Sequence, residues 1–131
     1  MSGEWPCCEE PLPEMVRHGL ERFNAGEYFE QHEILEHVWR AERRPVREIY
    51  QGILQIGVAC YQIQRGNYAG ALKMLRRGLA HLRRAPDRCQ GIDIARLRED
   101  AQRLLHELER RGPAGSSEPD PRWFLRVFFE G

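Results

Sequence analysis

Residues 49–64 read IYQGILQIGVACYQIQ, sixteen positions without a charge in a chain of which 31% is charged. Length decides what this run is. A membrane-spanning helix needs about 20 predominantly apolar residues. This one is shorter and carries Gln51, Gln55, Gln62 and Gln64. A helix apolar on nearly every face is one surrounded by other helices. The run therefore predicts the central helix of a soluble, all-helical bundle.

The elements on either side follow from their breakers. Pro45 suits the first turn of that central helix, expected over 45–65, and Gly66-Asn67 stops it. Upstream, a helix over about 27–42 ends at Arg43-Arg44-Pro45. Before it, Met15, Val16, Leu20 and Phe23 share a face from Pro13 to Gly26, and Gly26 suits a left-handed helix end. Downstream, residues 68–84 set Ala71, Leu72, Leu75, Leu79 and Leu82 inward, with Lys73, Arg76, Arg77, Arg83 and Arg84 outward. Pro86 closes that helix. Asp93 reads as the N-cap of a fifth helix to Arg111, with Ile94, Leu97, Ala101, Leu104, Leu105 and Leu108 inward.

A weak repeat ties the halves together. Phe23-Asn-Ala-Gly-Glu-Tyr28 and Gln64-Arg-Gly-Asn-Tyr68 each place a glycine just before an aromatic that opens a helix. Each junction is similar to the turn inside a tetratricopeptide repeat, and two copies fall short of a solenoid. The expectation is a compact bundle of about five helices: two antiparallel hairpins, a closing helix and a docked aromatic tail.

The ends differ in composition. Residues 1–12 lack any period and are expected to form a loose extension, with the helical domain over 13–111. Residues 112–121 (GPAGSSEPDP) read as a linker. Residues 122–131 carry Trp123, Phe124, Leu125, Val127, Phe128 and Phe129, a tail too apolar to stay in water. It must cover this bundle or a second copy, which points to a homodimer as one outcome.

Twenty basic residues balance twenty acidic ones, so no global field points to nucleic acid or an anionic membrane. The basic face of the fourth helix is the one place where nucleic acid could dock, but in a neutral chain an ordinary solvated face is the better reading of it. The cysteines, at 7, 8, 60 and 89, form no C-x-x-C pair. With no secretory signal at the start, reduced thiols and a cytoplasmic location are expected, with Cys7 and Cys8 inert in the extension.

The chemistry concentrates on the second helix. At 100° per residue, Ile34, Val38, Leu35, Tyr28 and Trp39 fill an apolar arc. His32 and Glu36, at about 40° and 80°, lie inside this sector with Phe29 at about 100° beyond them, so with Trp39 they are expected to form a buried, inward-facing cluster, while Glu33 and His37 point to solvent. Both zinc-protease spacings miss: H-E-x-x-H meets Glu36 where it needs His, and H-x-x-E-H needs one residue fewer. His32 and Glu36, four apart, can touch. A carboxylate there needs a hydrogen-bonding or charged partner. An ion pair with His32 supplies one, and a divalent metal taking His32 and Glu36 as two ligands supplies another.

On the third helix Glu48, Gln51, Gln55 and Gln62 share a stripe. Turned toward the second helix, Gln51 and Gln55 would bond His32 and Glu36 inside a pocket walled by Trp39, Tyr28, Phe29 and Tyr50. The cluster then reads either as a lock on the packing of the two helices or as a small-ligand site. No nucleophile or phosphate loop accompanies it, so no reaction follows from these residues.

The motif His32-x-x-x-Glu36-x-x-Trp39, preceded by Phe23-Asn-x-Gly-x-Tyr28-Phe29-Glu30, resembles the HxxxExxW signature of the family catalogued as domain of unknown function 309. Gln51-Gly52-x-x-Gln55 and Arg65-Gly66-Asn67-Tyr68-x-Gly70-Ala71 look like the same family, and the match covers roughly residues 20–110. The resemblance implies an all-helical fold and no established activity. Three readings remain: a ligand- or metal-binding domain, an interaction module with a structural cluster, and nucleic-acid binding through the fourth helix.

Overall fold

The structure, a computed structural model, describes residues 5–112, 120 and 123–130. Five helices carry it: α1 (Glu14–Asn24), α2 (Tyr28–Ala41), α3 (Arg47–Gln64), α4 (Tyr68–Leu82) and α5 (Ile94–Arg111). The all-helical bundle expected from the sequence is what forms.

The two hairpins end α1 and α3 in the same way. Gly26 and Gly66 take φ of 78° and 71°, where a side chain would be strained. The N–H of Glu27 bonds back to the Arg22 carbonyl, and that of Asn67 to the Gln62 carbonyl, both six-residue closures. Sequence repeat and backbone repeat coincide. Asn67 then caps α4 by accepting from the Gly70 N–H, and Asp93 caps α5 by accepting from the Arg96 N–H.

α3 runs through the middle, with Ile49, Tyr50, Ile53, Ile56, Ala59 and Cys60 almost fully buried. It packs against α2 on one side and α4 on the other. The α3–α4 approach is backbone-close: a Cβ on Gly78 would stand 2.9 Å from the Gly52 carbonyl oxygen.

Two features lie outside the helical pattern. Arg88–Cys89 (β1) and Ile92–Asp93 (β2) form a two-stranded antiparallel ribbon. Its turn uses positive φ at both Gln90 and Gly91, the geometry that suits the twist of a tight hairpin. Phe129 pairs with Ile92 as a further bridge, so the tail extends this ribbon.

The extension expected to be loose is not, from Trp5 onward. Pro6–Glu9 forms a 3₁₀ turn, and Trp5, Cys7 and Leu12 belong to the core. Cys8 forms a disulfide with Cys89 of β1, and the Cys8 carbonyl accepts from the Gln90 N–H. Pairing in space across 81 residues explains why the adjacency of Cys7 and Cys8 was uninformative. It also removes the ground on which reduced thiols were expected. Cys7 and Cys60 stay free and buried.

The aromatic tail docks on the chain's own bundle. Trp123 and Val127 are buried. Asn24 at the end of α1 donates to the Val127 carbonyl and accepts from its N–H, each at 2.8 Å. Phe124 stacks on Tyr28, centroids 6.2 Å apart. No helix among the described residues is long and apolar enough to cross a membrane.

Candidate functional site

The candidate residues lie along the seam between α2 and α3. The buried polar residue at its centre is Gln31, fully enclosed, whose amide donates to the Leu54 carbonyl at 3.1 Å. The helices meet closely there, since a Cβ on Gly57 would stand 2.3 Å from Gln31 Nε2. Gln31 sits at about 300° on the α2 wheel, in the middle of the apolar arc. That position was the signal available in the sequence, hidden because the arc was drawn through apolar types alone.

At the other end of the seam the Arg47 guanidinium lies 4.7 Å from the Trp39 ring centroid, and its Nε donates to the Glu42 carbonyl. These two cross-helix contacts fix an antiparallel register. It sets Gln55 near the level of Gln31 and Gln51 near that of Leu35, each within about a residue or two of His32 and Glu36. His32, Glu36, Gln51 and Gln55 are half-buried along one strip, with Glu33 and His37 exposed as the wheel requires.

The expected bonds within the strip do not form. Among the described residues no hydrogen bond or ion pair joins His32 to Glu36, or either to Gln51 or Gln55. Glu36 instead accepts from Arg40 at 3.1 Å on the outer side of the helix. The reason is local: Arg40 also stands four residues from Glu36, with the carboxylate N-terminal to the cation, the favoured order. The glutamine stripe divides too. Glu48 meets His81 Nδ1 of α4 at 2.9 Å, and Gln62 accepts from Asn67 at 3.0 Å. His81 is therefore a half-buried partner of α3.

The aromatic walls disperse as well. Phe29 is exposed. Tyr28 is buried edge-on to Phe23, against Phe124 and Cys60, and burial pushes its hydroxyl pKa well up. Burial likewise raises the Cys60 thiol to about 11. Tyr50, its pKa raised by burial to about 12, donates to Gln90 Oε1 at 2.7 Å, far from the strip. Among the described residues no group of three or more His, Cys, Asp or Glu side chains could hold a metal ion. His32 and Glu36 belong to no such group.

What remains is unsatisfied. Trp39 Nε1, Gln55 Oε1 and Gln31 Oε1 are buried without a hydrogen-bond partner. Buried donors and acceptors are almost always paired, and leaving one alone costs about 1–3 kcal/mol. Two of these three belong to the residues the sequence singled out, Trp39 at one end of the strip and Gln55 at the other. About eight residues of α2 separate their levels, roughly 12 Å along the helix axis.

Comparison with known proteins covers the same region. Residues 16–74, which include all of α2 and α3, match the model of a family described as a domain of unknown function (DUF309). An uncharacterized protein of Aquifex aeolicus (strain VF5) is 24% identical over 101 residues, 76% of this chain and 30% of its own length. The uncharacterized protein YpuF of Bacillus subtilis (strain 168) is 34% identical over 86 residues, 63% of this chain and 49% of its own length. The chain thus spans half or less of either relative.

Proposed function

Because residues 16–74 are a DUF309 domain, we propose that this domain binds a small polar ligand along its α2–α3 seam, between Trp39 and Gln55. One observation carries the reading: the indole N–H of Trp39 and the carboxamide oxygen of Gln55 are buried and unpartnered at opposite ends of one strip. The ligand that suits them accepts a hydrogen bond at one end and donates one at the other, the two levels being roughly 12 Å apart along the helix axis. His32 and Gln51 lie between, each able to donate or accept, and Arg47 holds the Trp39 ring in place by stacking on it.

The competing reading is a pair of ordered waters that lock the seam, supported by the Gln31–Leu54 bond beside it. A ¹H–¹⁵N spectrum separates the two. The Trp39 indole peak, assigned with Trp39→Phe, should shift saturably with glycerol, acetamide or a short amide-bearing diol. Gln55→Leu should abolish that shift while leaving the fold intact. An indole peak that no probe moves, and that exchanges magnetisation only with water, would assign the strip to packing.

A further inference from the structure

A second region of the molecule stands apart from the seam. A cavity of about 600 Å³ opens between α5 and the docked tail. That volume falls in the range of small-molecule sites. Five guanidiniums line it, from Arg96, Arg103, Arg110, Arg111 and Arg126. Two carboxylates answer them, Asp100 and Glu107. In a chain whose charges cancel, this wall carries a local excess of three positive charges.

The carboxylates are already committed. Asp100, largely buried, accepts from Arg96 Nε at 2.9 Å and from Arg103 at 2.8 Å. Glu107 accepts from Arg110 at 2.6 Å and from Arg111 Nε at 2.5 Å, and these two hold its pKa below the usual carboxylate value. Each carboxylate thus serves two cations and orients both. Rings from the tail fix the planes: Arg96 lies 4.6 Å from the Phe128 centroid and Arg111 5.0 Å from that of Trp123. A guanidinium stacked on a ring engages its face and keeps the N–H donors on its edge, five per group, directed sideways. Arg126 approaches Phe128 from 5.9 Å.

We propose that this cavity is a binding site for a small ligand carrying two or three negative charges on phosphate groups. Phosphate oxygens match guanidinium edges in a bidentate fashion, and the charge excess matches a di- or trianion. Along α5, Arg96, Arg103 and Arg110 stand seven residues apart, about 10 Å from one level to the next, so a small ligand engages guanidiniums of adjacent levels on this wall.

Calorimetric titration of the intact protein with pyrophosphate and with ADP, at ionic strength near 0.15 M, tests this. Arg103→Gln/Arg110→Gln should weaken pyrophosphate binding at least about tenfold, as expected when charge-assisted bonds are lost. Both side chains are mostly exposed, so the fold should survive, and circular dichroism checks it. Lys73→Gln/Arg77→Gln, both exposed on α4, should bind as the wild type does. ADP tighter than pyrophosphate would support the site and add the tail's rings to it. No binding at about 1 mM, or equal loss in both double variants, would overturn the proposal.

Discussion

Replacing Gly57 by alanine probes how closely α2 and α3 meet, and hence the geometry on which the seam depends. The added Cβ would stand 2.3 Å from Gln31 Nε2 and 2.6 Å from its Cδ, distances that real side chains do not tolerate. Gln31 cannot swing aside cheaply, because it is fully buried and bonded to the Leu54 carbonyl at 3.1 Å. Overpacking costs about 1–3 kcal/mol. Stranding the amide donor costs about 1–3 kcal/mol more if the bond to Leu54 breaks. Against this, alanine favours a helix interior over glycine by up to about 1 kcal/mol. The balance is a net loss of roughly 2–4 kcal/mol for Gly57→Ala. In a Gln31→Ala background the three atoms nearest that Cβ are gone, so the same change should be neutral or slightly stabilising. Urea unfolding followed at 222 nm, with the m-value held constant, measures the cycle. A coupling of about 2 kcal/mol or more is expected, and additivity within about 0.5 kcal/mol would refute the close approach.

Three further outcomes follow from the same structure. Two thiols, not four, should titrate in denatured, unreduced protein, and breaking the Cys8–Cys89 bond, which closes 81 residues, should cost up to about 4 kcal/mol by loop entropy. Glu42, held near pKa 2 by its hydrogen bonds to Arg44, binds its proton less readily folded than unfolded. It therefore contributes stability above its ordinary value of 4.5 that fades as pH falls toward 2, and Glu42→Gln should flatten that part of the acid limb in a pH series of melts. Asn24→Ala removes both bonds to Val127, so the Val127 amide should exchange with deuterium much faster while α3 amides stay protected; unchanged Val127 protection would show that the tail docks without them.

The helices and their turns were legible because they repeat. Gly26 and Gly66, the amphipathic α4 and the Asp93 cap each leave a periodic or positional mark. The Arg88–Asp93 ribbon leaves none, since strands of two residues have no period to read. The burial of Trp5 and Cys7 depends on Cys89 and Gln90, distant in sequence and adjacent only in space.

At the site, spacing put Glu33 and His37 on the exposed face, but it also placed His32 and Glu36 inward, where the structure leaves both only half-buried. It did not choose among partners. Glu36 had His32 four residues before it and Arg40 four residues after, and the exposed, permanently charged arginine made the bond. Gln31 escaped notice because residue type, rather than angle, drew the apolar arc. The cavity at α5 escaped because half of its wall comes from the tail, which contributes nothing to the helical pattern.

The most direct measurement is a high-resolution crystal structure of the protein as purified, read at the strip between Trp39 and Gln55. Continuous non-water density accepting from Trp39 Nε1 and donating to Gln55 Oε1 is the predicted result. Two isolated waters that satisfy these atoms, or a protein group bonded to each, would contradict it.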